Sequence, residues 1–322
     1  MKHSLLLWII AFVITAASAV FQFVTGPSYP LKGSVIFNGK SFSYRLSRSH
    51  AGSTDCPVSI TTDDEAIHGV VEWRRFTTDD PWTRVELVRH EGALTVDLPQ
   101  QPPAGKLEYR ISLMRETATQ VVPAEGTVVV RFRGDVPWYI LIPHILAMFS
   151  GMLFSARAGI ASFRETTEMN WLIVWTIGFL FIGGLVLGPV VQNFAFGRFW
   201  TGWPVGHDLT DNKTAVALAA WLTALGMMRW SGRPQRWVLA AAIITLLVYL
   251  IPHSVLGSEI DYRKADTKSP TSSMSPEISQ CTIGYCCSTA WSVADCNREN
   301  SRGFYQLRCF TNRRHIAAYC QT

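Results

Sequence analysis

The apolar residues of this chain are clumped, and the length of the clumps restricts what it can fold into. Five stretches, roughly Leu5–Val24, Val136–Ala156, Trp171–Val191, Thr214–Met228 and Trp237–Gly257, are apolar enough to cross a bilayer, which takes about 20 residues. The fourth is short and takes Asp211–Lys213 as its first turn. Hydrocarbon offers the backbone no water to bond, so spanning stretches of this kind must be helices. Between the first and second stretches lie more than 100 residues of ordinary soluble composition, although the whole chain is 48% hydrophobic and only 16% charged.

Lysines and arginines in the short loops set the expected orientation. Lys2, Arg157, Arg164, Arg229, Arg233 and Arg236 fall on one side, and only Arg198 and Lys213 on the other. The count predicts a cytoplasmic N-terminus, with the soluble domain and the C-terminus outside, and so a multi-pass protein of a bacterial inner membrane. Residues 1–26 read as a transmembrane anchor. Ala17-Ser18-Ala19 fits a signal-peptide cleavage pattern, but the apolar run continues through Val24, which favours an uncleaved helix. The net charge of +5 is scattered, with no basic run to follow a phosphate backbone. The expected partners are therefore the lipid bilayer and a membrane or periplasmic protein, not nucleic acid.

Residues 27–135 read as short strands. Ser34–Phe37, Phe42–Leu46, Val58–Thr61, Val70–Arg75, Arg84–Val88, Leu94–Leu98, Leu107–Leu113 and Thr127–Phe132 are the candidates. Apolar residues take every second position in Leu94-Thr95-Val96-Asp97-Leu98, as a half-buried strand requires. So many short strands in about 100 residues predict an antiparallel β-sandwich, with Trp73 as its core plug. The stretch from Leu98 through Pro102-Pro103-Ala104-Gly105 to Tyr109 is similar to the tyrosine corner of immunoglobulin-like and fibronectin-type domains. That resemblance implies an immunoglobulin-like sandwich and no particular activity. Cys56 is the domain's single cysteine and reads as a small buried thiol. The run Arg48-Ser49-His50 to Asp55 holds Ser, His and Asp, but reads as a polar loop, because triads assemble from distant chain positions.

Residues 136–260 read as a four-helix transmembrane bundle with an aromatic outer loop at 192–213. One tetrapeptide occurs twice, as Leu141-Ile142-Pro143-His144 and Leu250-Ile251-Pro252-His253. Proline in a helix frees a carbonyl, and a following histidine can act as its donor. Alternatively His144, His253 and His207, all expected near the outer face, converge as ligands for haem, copper, iron or zinc. Asp208 and Asp211 then read either as second-shell partners that orient an imidazole or as caps of the following helix. Gly178, Gly183, Gly184 and Gly188 present a small face for close helix packing.

Residues 261–322 form a linker and a tail. Thr267–Pro276 is Ser/Thr/Pro-rich, and Cys281, Cys286, Cys287, Cys296, Cys309 and Cys320 follow. The tail has two readings: a module with three disulfides, or a disordered or out-of-frame extension.

No motif of a known catalytic chemistry stands out. The chain therefore reads as a non-catalytic, polytopic membrane protein that presents its β-domain for binding or for assembly of a membrane complex. The alternative is a metal- or haem-binding redox protein, and if it is an enzyme, a metal-dependent oxidoreductase. Transport fits less well, since nothing beyond the tetrapeptide repeats between halves.

Overall fold

A computed structural model describes residues 2–37, 39–62, 64–164, 169–206, 209–252, 259–260, 262–263, 308–311 and 314–317. The chain divides into two compact units, Met1–Pro270 and Thr271–Thr322.

The first unit opens with α1 (Lys2–Thr25). Leu5, Phe12 and Phe23 along it stand exposed, as on a helix that faces lipid. The β-domain follows with β1 (Leu31–Phe37), β2 (Lys40–Leu46), β3 (Ser49–Ala51), β4 (Cys56–Thr61), β5 (His68–Arg75), β6 (Thr83–Glu86), β7 (Val88–His90), β8 (Ala93–Leu98), β9 (Lys106–Arg115), β10 (Ala118–Val122) and β11 (Val128–Arg133). Strands β1 and β2 form a hairpin, β4-β8-β7 a three-stranded sheet, and β3-β11-β9-β5-β6 with β10 beside β9 a six-stranded sheet. Alternation builds their shared core. In β4, Cys56, Val58 and Ile60 are buried while Pro57, Ser59 and Thr61 face out. They join Val96 and Leu98 of β8, Leu107, Tyr109 and Ile111 of β9 and Phe132 of β11 in one hydrophobic cluster.

Five helical segments follow: α2 (Trp138–Ala161), α3 (Met169–Leu180) continuing through a π-helical stretch (Phe181–Leu187) into α4 (Gly188–Phe196), then α5 (Leu209–Trp230) and α6 (Pro234–Leu250). Three helices, Ser4–Thr25, Trp138–Ala161 and Met169–Phe196, are long and apolar enough to cross a membrane, and Pro234–Leu250 is a shorter apolar helix. Among the described residues, three of the five expected spans are thus long and apolar enough. Lys213 and Arg229 fall inside α5 and dilute its apolar run, and α6 stops early. Trp8 of α1 meets Phe154 of α2 at 5.3 Å between ring centroids. The start of α1 and the end of α2 therefore share one end of the bundle. Arg157 belongs to that end but not to a loop: it lies within α2, is 1% exposed, and sits 5.6 Å over the Trp8 ring. At the other end Gly134 donates to Ala195 O (2.9 Å), joining the last β-strand to α4.

Other expectations need correction. The pairing is not wholly antiparallel, because β3 runs parallel to β11. The predicted strand Arg84–Val88 is two strands in two sheets. Leu87 turns into the core between them, and its N–H donates to Gly69 O (2.8 Å), so the chain crosses from one sheet edge to the other. Strands β3 and β10 carry no clean apolar alternation and were not expected. Trp73 is only partly buried, and its cross-strand neighbour Tyr109 is the fully buried ring. The Tyr109 hydroxyl does not close its own corner, as the resemblance implied; it donates to Ser47 O (2.9 Å), 62 residues away.

Of the second unit, β12 (Arg308–Thr311) and β13 (Arg314–Ala317) are described, and they pair antiparallel. Cys281, Cys286, Cys287, Cys296 and Cys320 lie outside the described residues.

Candidate functional site

The two copies of Leu-Ile-Pro-His do different things. In the first, Pro143 lies inside α2 and the helix continues through it. Pro143 is the sixth residue of α2, past the first turn, so its missing N–H removes the intrahelical bond to the carbonyl of Tyr139 without ending the helix. In the second, α6 ends at Leu250, and Ile251 is extended (φ −71°, ψ 118°), as the residue before a proline prefers.

That stop leaves carbonyls at the end of α6 without intrahelical donors, and distant side chains supply them. Gln22 Nε2 of α1 donates to Tyr249 O (2.9 Å) and Ile251 O (3.2 Å). Lys213 Nζ of α5 donates to Ile251 O (2.7 Å). Lys213 is 6% exposed, a deep position for an ammonium group, and here it closes a helix end. The Tyr249 hydroxyl donates to Met148 O of α2 (2.7 Å).

His144 takes part on the α2 side. Its Nδ1 lies 2.9 Å from Gly183 O, within the π-helical stretch. A carbonyl can only accept, so Nδ1 carries the proton and, in the neutral ring, Nε2 keeps the lone pair. His144 thus donates to the neighbouring helix and not, as expected, to the carbonyl that Pro143 frees in its own. Gly183 can present that carbonyl because the helices are close. A β-carbon at Gly183 would come 2.9 Å from Met148 Sδ, and one at Gly184 would come 2.3 Å from Thr214 Cγ2. The expected small face therefore consists of Gly183 and Gly184 against α2 and α5. Gly178 has nothing within 4 Å.

Gln22, His144, Lys213 and Tyr249 border a partly open cavity of about 200 Å³ lined by α1, α2, α5 and α6. Thr15, Gln22, His144, Lys213, Thr214 and Tyr249 form its polar lining, and Ile145, Met148, Phe149, Met152 and Val248 its apolar wall. Among the described residues no carboxylate lines it. Ionisable and amide groups at membrane depth are costly and mark functional positions, so this cavity is the candidate site. From the sequence only His144 was foreseen there. Gln22 and Lys213 were missed, although a lone amide in an otherwise apolar helix and a lysine just inside another were the available signals.

Of the other expected site residues, His207, Asp208 and His253 lie outside the described residues. Asp211, buried in the first turn of α5, accepts from the N–H groups of Thr201 (2.7 Å) and Gly202 (2.9 Å). Asn212 Oδ1 accepts from Trp203 N–H (2.7 Å). Asp211 and Asn212 thereby bind the aromatic loop to the start of α5. Among the described residues no group of three His, Cys, Asp or Glu side chains is placed to hold a metal ion.

In the β-domain, the run around His50 does not assemble. His50 Nε2 bonds Thr54 O (3.0 Å), and Asp55 accepts from Gln100 N–H (2.8 Å). The outer face of the six-stranded sheet carries ion pairs instead. Glu72 Oε1 accepts from Arg84 and its Oε2 from Arg110, each at 2.6 Å, and Arg74 and Arg110 lie 4.6 and 5.1 Å from the Trp82 ring.

No family model matches the chain, and no curated protein or solved structure matches it either.

Proposed function

We propose that this is a non-catalytic, multi-pass protein of a bacterial inner membrane. It presents an extracytoplasmic, immunoglobulin-like β-sandwich to a protein partner, for binding or for assembly of a membrane complex. The observation that carries this reading is the pair of edge strands β6 and β7, which end the six-stranded and the three-stranded sheet. All four residues of β6 are exposed, and Val88 in β7 is 68% exposed. An uncovered strand edge with apolar side chains invites an added strand unless something occupies it. On the outer face of the six-stranded sheet Glu72 is paired with Arg84 and Arg110, and Glu108 with Arg74. The orientation rests on the bundle ends. Residues near the start of α1 and the end of α2 share one end with the basic loops, and the β-domain joins the other end through Gly134 and Ala195.

The test is the size of the protein in its own membrane, read by native electrophoresis after mild solubilisation. A V85E/V88E pair is expected to release the chain from a larger complex while its thermal unfolding stays unchanged. Migration at the same size for wild type and variant sinks the reading.

Ligation of haem, copper, iron or zinc by His144, with His207 and His253, is the second reading. It is favoured by the Nδ1 bond to Gly183, since ligating imidazoles commonly donate their other N–H to a carbonyl and so turn Nε2 to the metal. Metal content of the purified protein, lost in His144→Ala, tests it.

A further inference from the structure

We propose that the loop between α4 and α5 lies in the headgroup layer of the bilayer, with Phe199, Trp203 and Val205 as its lipid contact. Trp230, at the far end of α5, then lies in the opposite headgroup layer. This inference rests on the multi-pass reading above and deepens it by naming a lipid-binding surface.

The loop is built for a layer where water is scarce. Each backbone N–H from Thr201 to Gly206 has an acceptor within the protein. Thr201 and Gly202 donate to Asp211 Oδ2 (2.7 and 2.9 Å), and Trp203 donates to Asn212 Oδ1 (2.7 Å). Val205 and Gly206 donate to Gly202 O (3.0 and 2.9 Å), and Pro204 has no N–H to satisfy. The Trp203 carbonyl accepts Trp200 Nε1–H (3.2 Å). The loop lies so close to α5 that a β-carbon at Gly202 would come 2.7 Å from Asn212 Oδ1. What it turns outward is apolar: Phe199, Val205 and Trp203, the last 75% exposed. A backbone that needs no water, carrying bare rings, suits the membrane boundary. Tryptophan is favoured there because its ring is apolar and its one N–H can still reach the wet side. Exposed Arg198, beside Phe199, supplies a cation for lipid phosphate.

The helix below the loop fits the same placement. Between Lys213 and Arg229 the exposed positions of α5 are Val216, Ala219, Leu222, Thr223, Leu225 and Gly226. Thr223 is the one polar side chain among them, and its hydroxyl donates to Ala219 O (2.9 Å). A helix that faced water would carry charged or amide groups on that side; this side suits hydrocarbon. The charged residues that lower the mean hydropathy of α5 lie at its two ends. Trp203 is tied to Asn212, and Trp230, 84% exposed, ends the helix. The 18 residues from Asn212 to Trp230 rise about 27 Å, close to the roughly 30 Å of a hydrocarbon core. The two exposed indoles therefore stand one hydrocarbon thickness apart, and Trp221, buried, lies midway between them.

The experiment is fluorine NMR on the full chain, labelled with 5-fluorotryptophan and reconstituted in phosphatidylcholine–phosphatidylglycerol nanodiscs. Trp203→Phe, Trp221→Phe and Trp230→Phe each remove one resonance and so assign it; Trp203→Tyr serves if Trp203→Phe does not fold. Three relaxation agents report depth: a lipid nitroxide just below the headgroups, a lipid nitroxide at the bilayer centre, and a gadolinium chelate in the water. The expected result is that the shallow nitroxide broadens Trp203 and Trp230 more than the deep one does, with the order reversed at Trp221. A Trp203 resonance broadened by gadolinium and by neither nitroxide places the loop in water and overturns the proposal. A Trp203 resonance that none of the three reaches means that protein covers the patch, and overturns it too. In both of those cases the expected order at Trp221 and Trp230 leaves the multi-pass reading standing. Loss of the deep-nitroxide effect at Trp221 overturns the crossing by α5, and with it both the proposal and that part of the multi-pass reading.

Discussion

The imidazole of His144 donates across a helix boundary to the carbonyl of Gly183, at 2.9 Å. One residue follows a proline in α2 and the other lies in a π-helical stretch of the neighbouring helix, so two local departures from α-helical bonding meet in one hydrogen bond. The same Gly183 carbonyl accepts the backbone N–H of Gly188, five residues on, as a π-turn requires.

Replacing His144 with alanine removes that bond and opens space beside the cavity. The expected loss is about 1–2 kcal/mol, the range for a side-chain hydrogen bond between membrane helices. Thermal unfolding in detergent measures it. Stability equal to wild type would mean that the bond contributes nothing net.

The glycines of α3 and its π-helical extension separate packing from propensity. Alanine is the better helix former, so Gly178→Ala, with nothing within 4 Å, is expected to be neutral or slightly stabilising. Gly184→Ala drives a methyl into Thr214 and is expected to cost about 1–3 kcal/mol. Chemical or thermal unfolding of the two variants side by side gives the signs.

Glu72 links the β-domain to pH. Burial pushes its carboxyl upward, but the hydrogen bonds and charges of Arg110 and Arg84 outweigh this and hold it below its ordinary value. A carboxyl depressed in the folded state contributes stability that is complete above its unfolded value, about 4.3. That stability is lost as pH falls through the lower folded value. Unfolding followed from about pH 6 to pH 3 should therefore show a loss that begins below about pH 5 and is smaller in Glu72→Gln.

Burial, reinforced by the charge of Asp97, pushes the Cys56 thiol up to about 11. At pH 8 the thiolate is scarce and the sulfur is enclosed, and it is the thiolate that reacts. Peptide mapping after iodoacetamide treatment is expected to find Cys56 unmodified in the folded protein and fully modified in denaturant. Rapid modification of the folded protein would contradict its place in the core.

Much of the architecture can be read along the chain, because it depends on local periodicity and length. The apolar runs mark α1, α2 and the α3–α4 helix. The alternation in Leu94–Leu98 marks β8, and the bracketing strands follow from similar patterns. The misreadings share a cause. Strands β3 and β10 are held by their neighbours in the sheet rather than by their own pattern. The break at Leu87 exists because one side chain enters a core built by other strands.

The candidate site divides in the same way. The sequence by itself determined that polar residues sit in or beside apolar helices, and that two prolines interrupt two of them. It could not determine what those polar groups bond. His144 reaches a carbonyl 39 residues away, Lys213 one that is 38 away, and Gln22 two that are 227 and 229 away. Likewise, two identical tetrapeptides become a helix interior and a helix end according to the helix that flanks each. A side-chain donor finds its acceptor through helix packing, and packing depends on the fit of surfaces far apart in the chain, which only the tertiary structure decided.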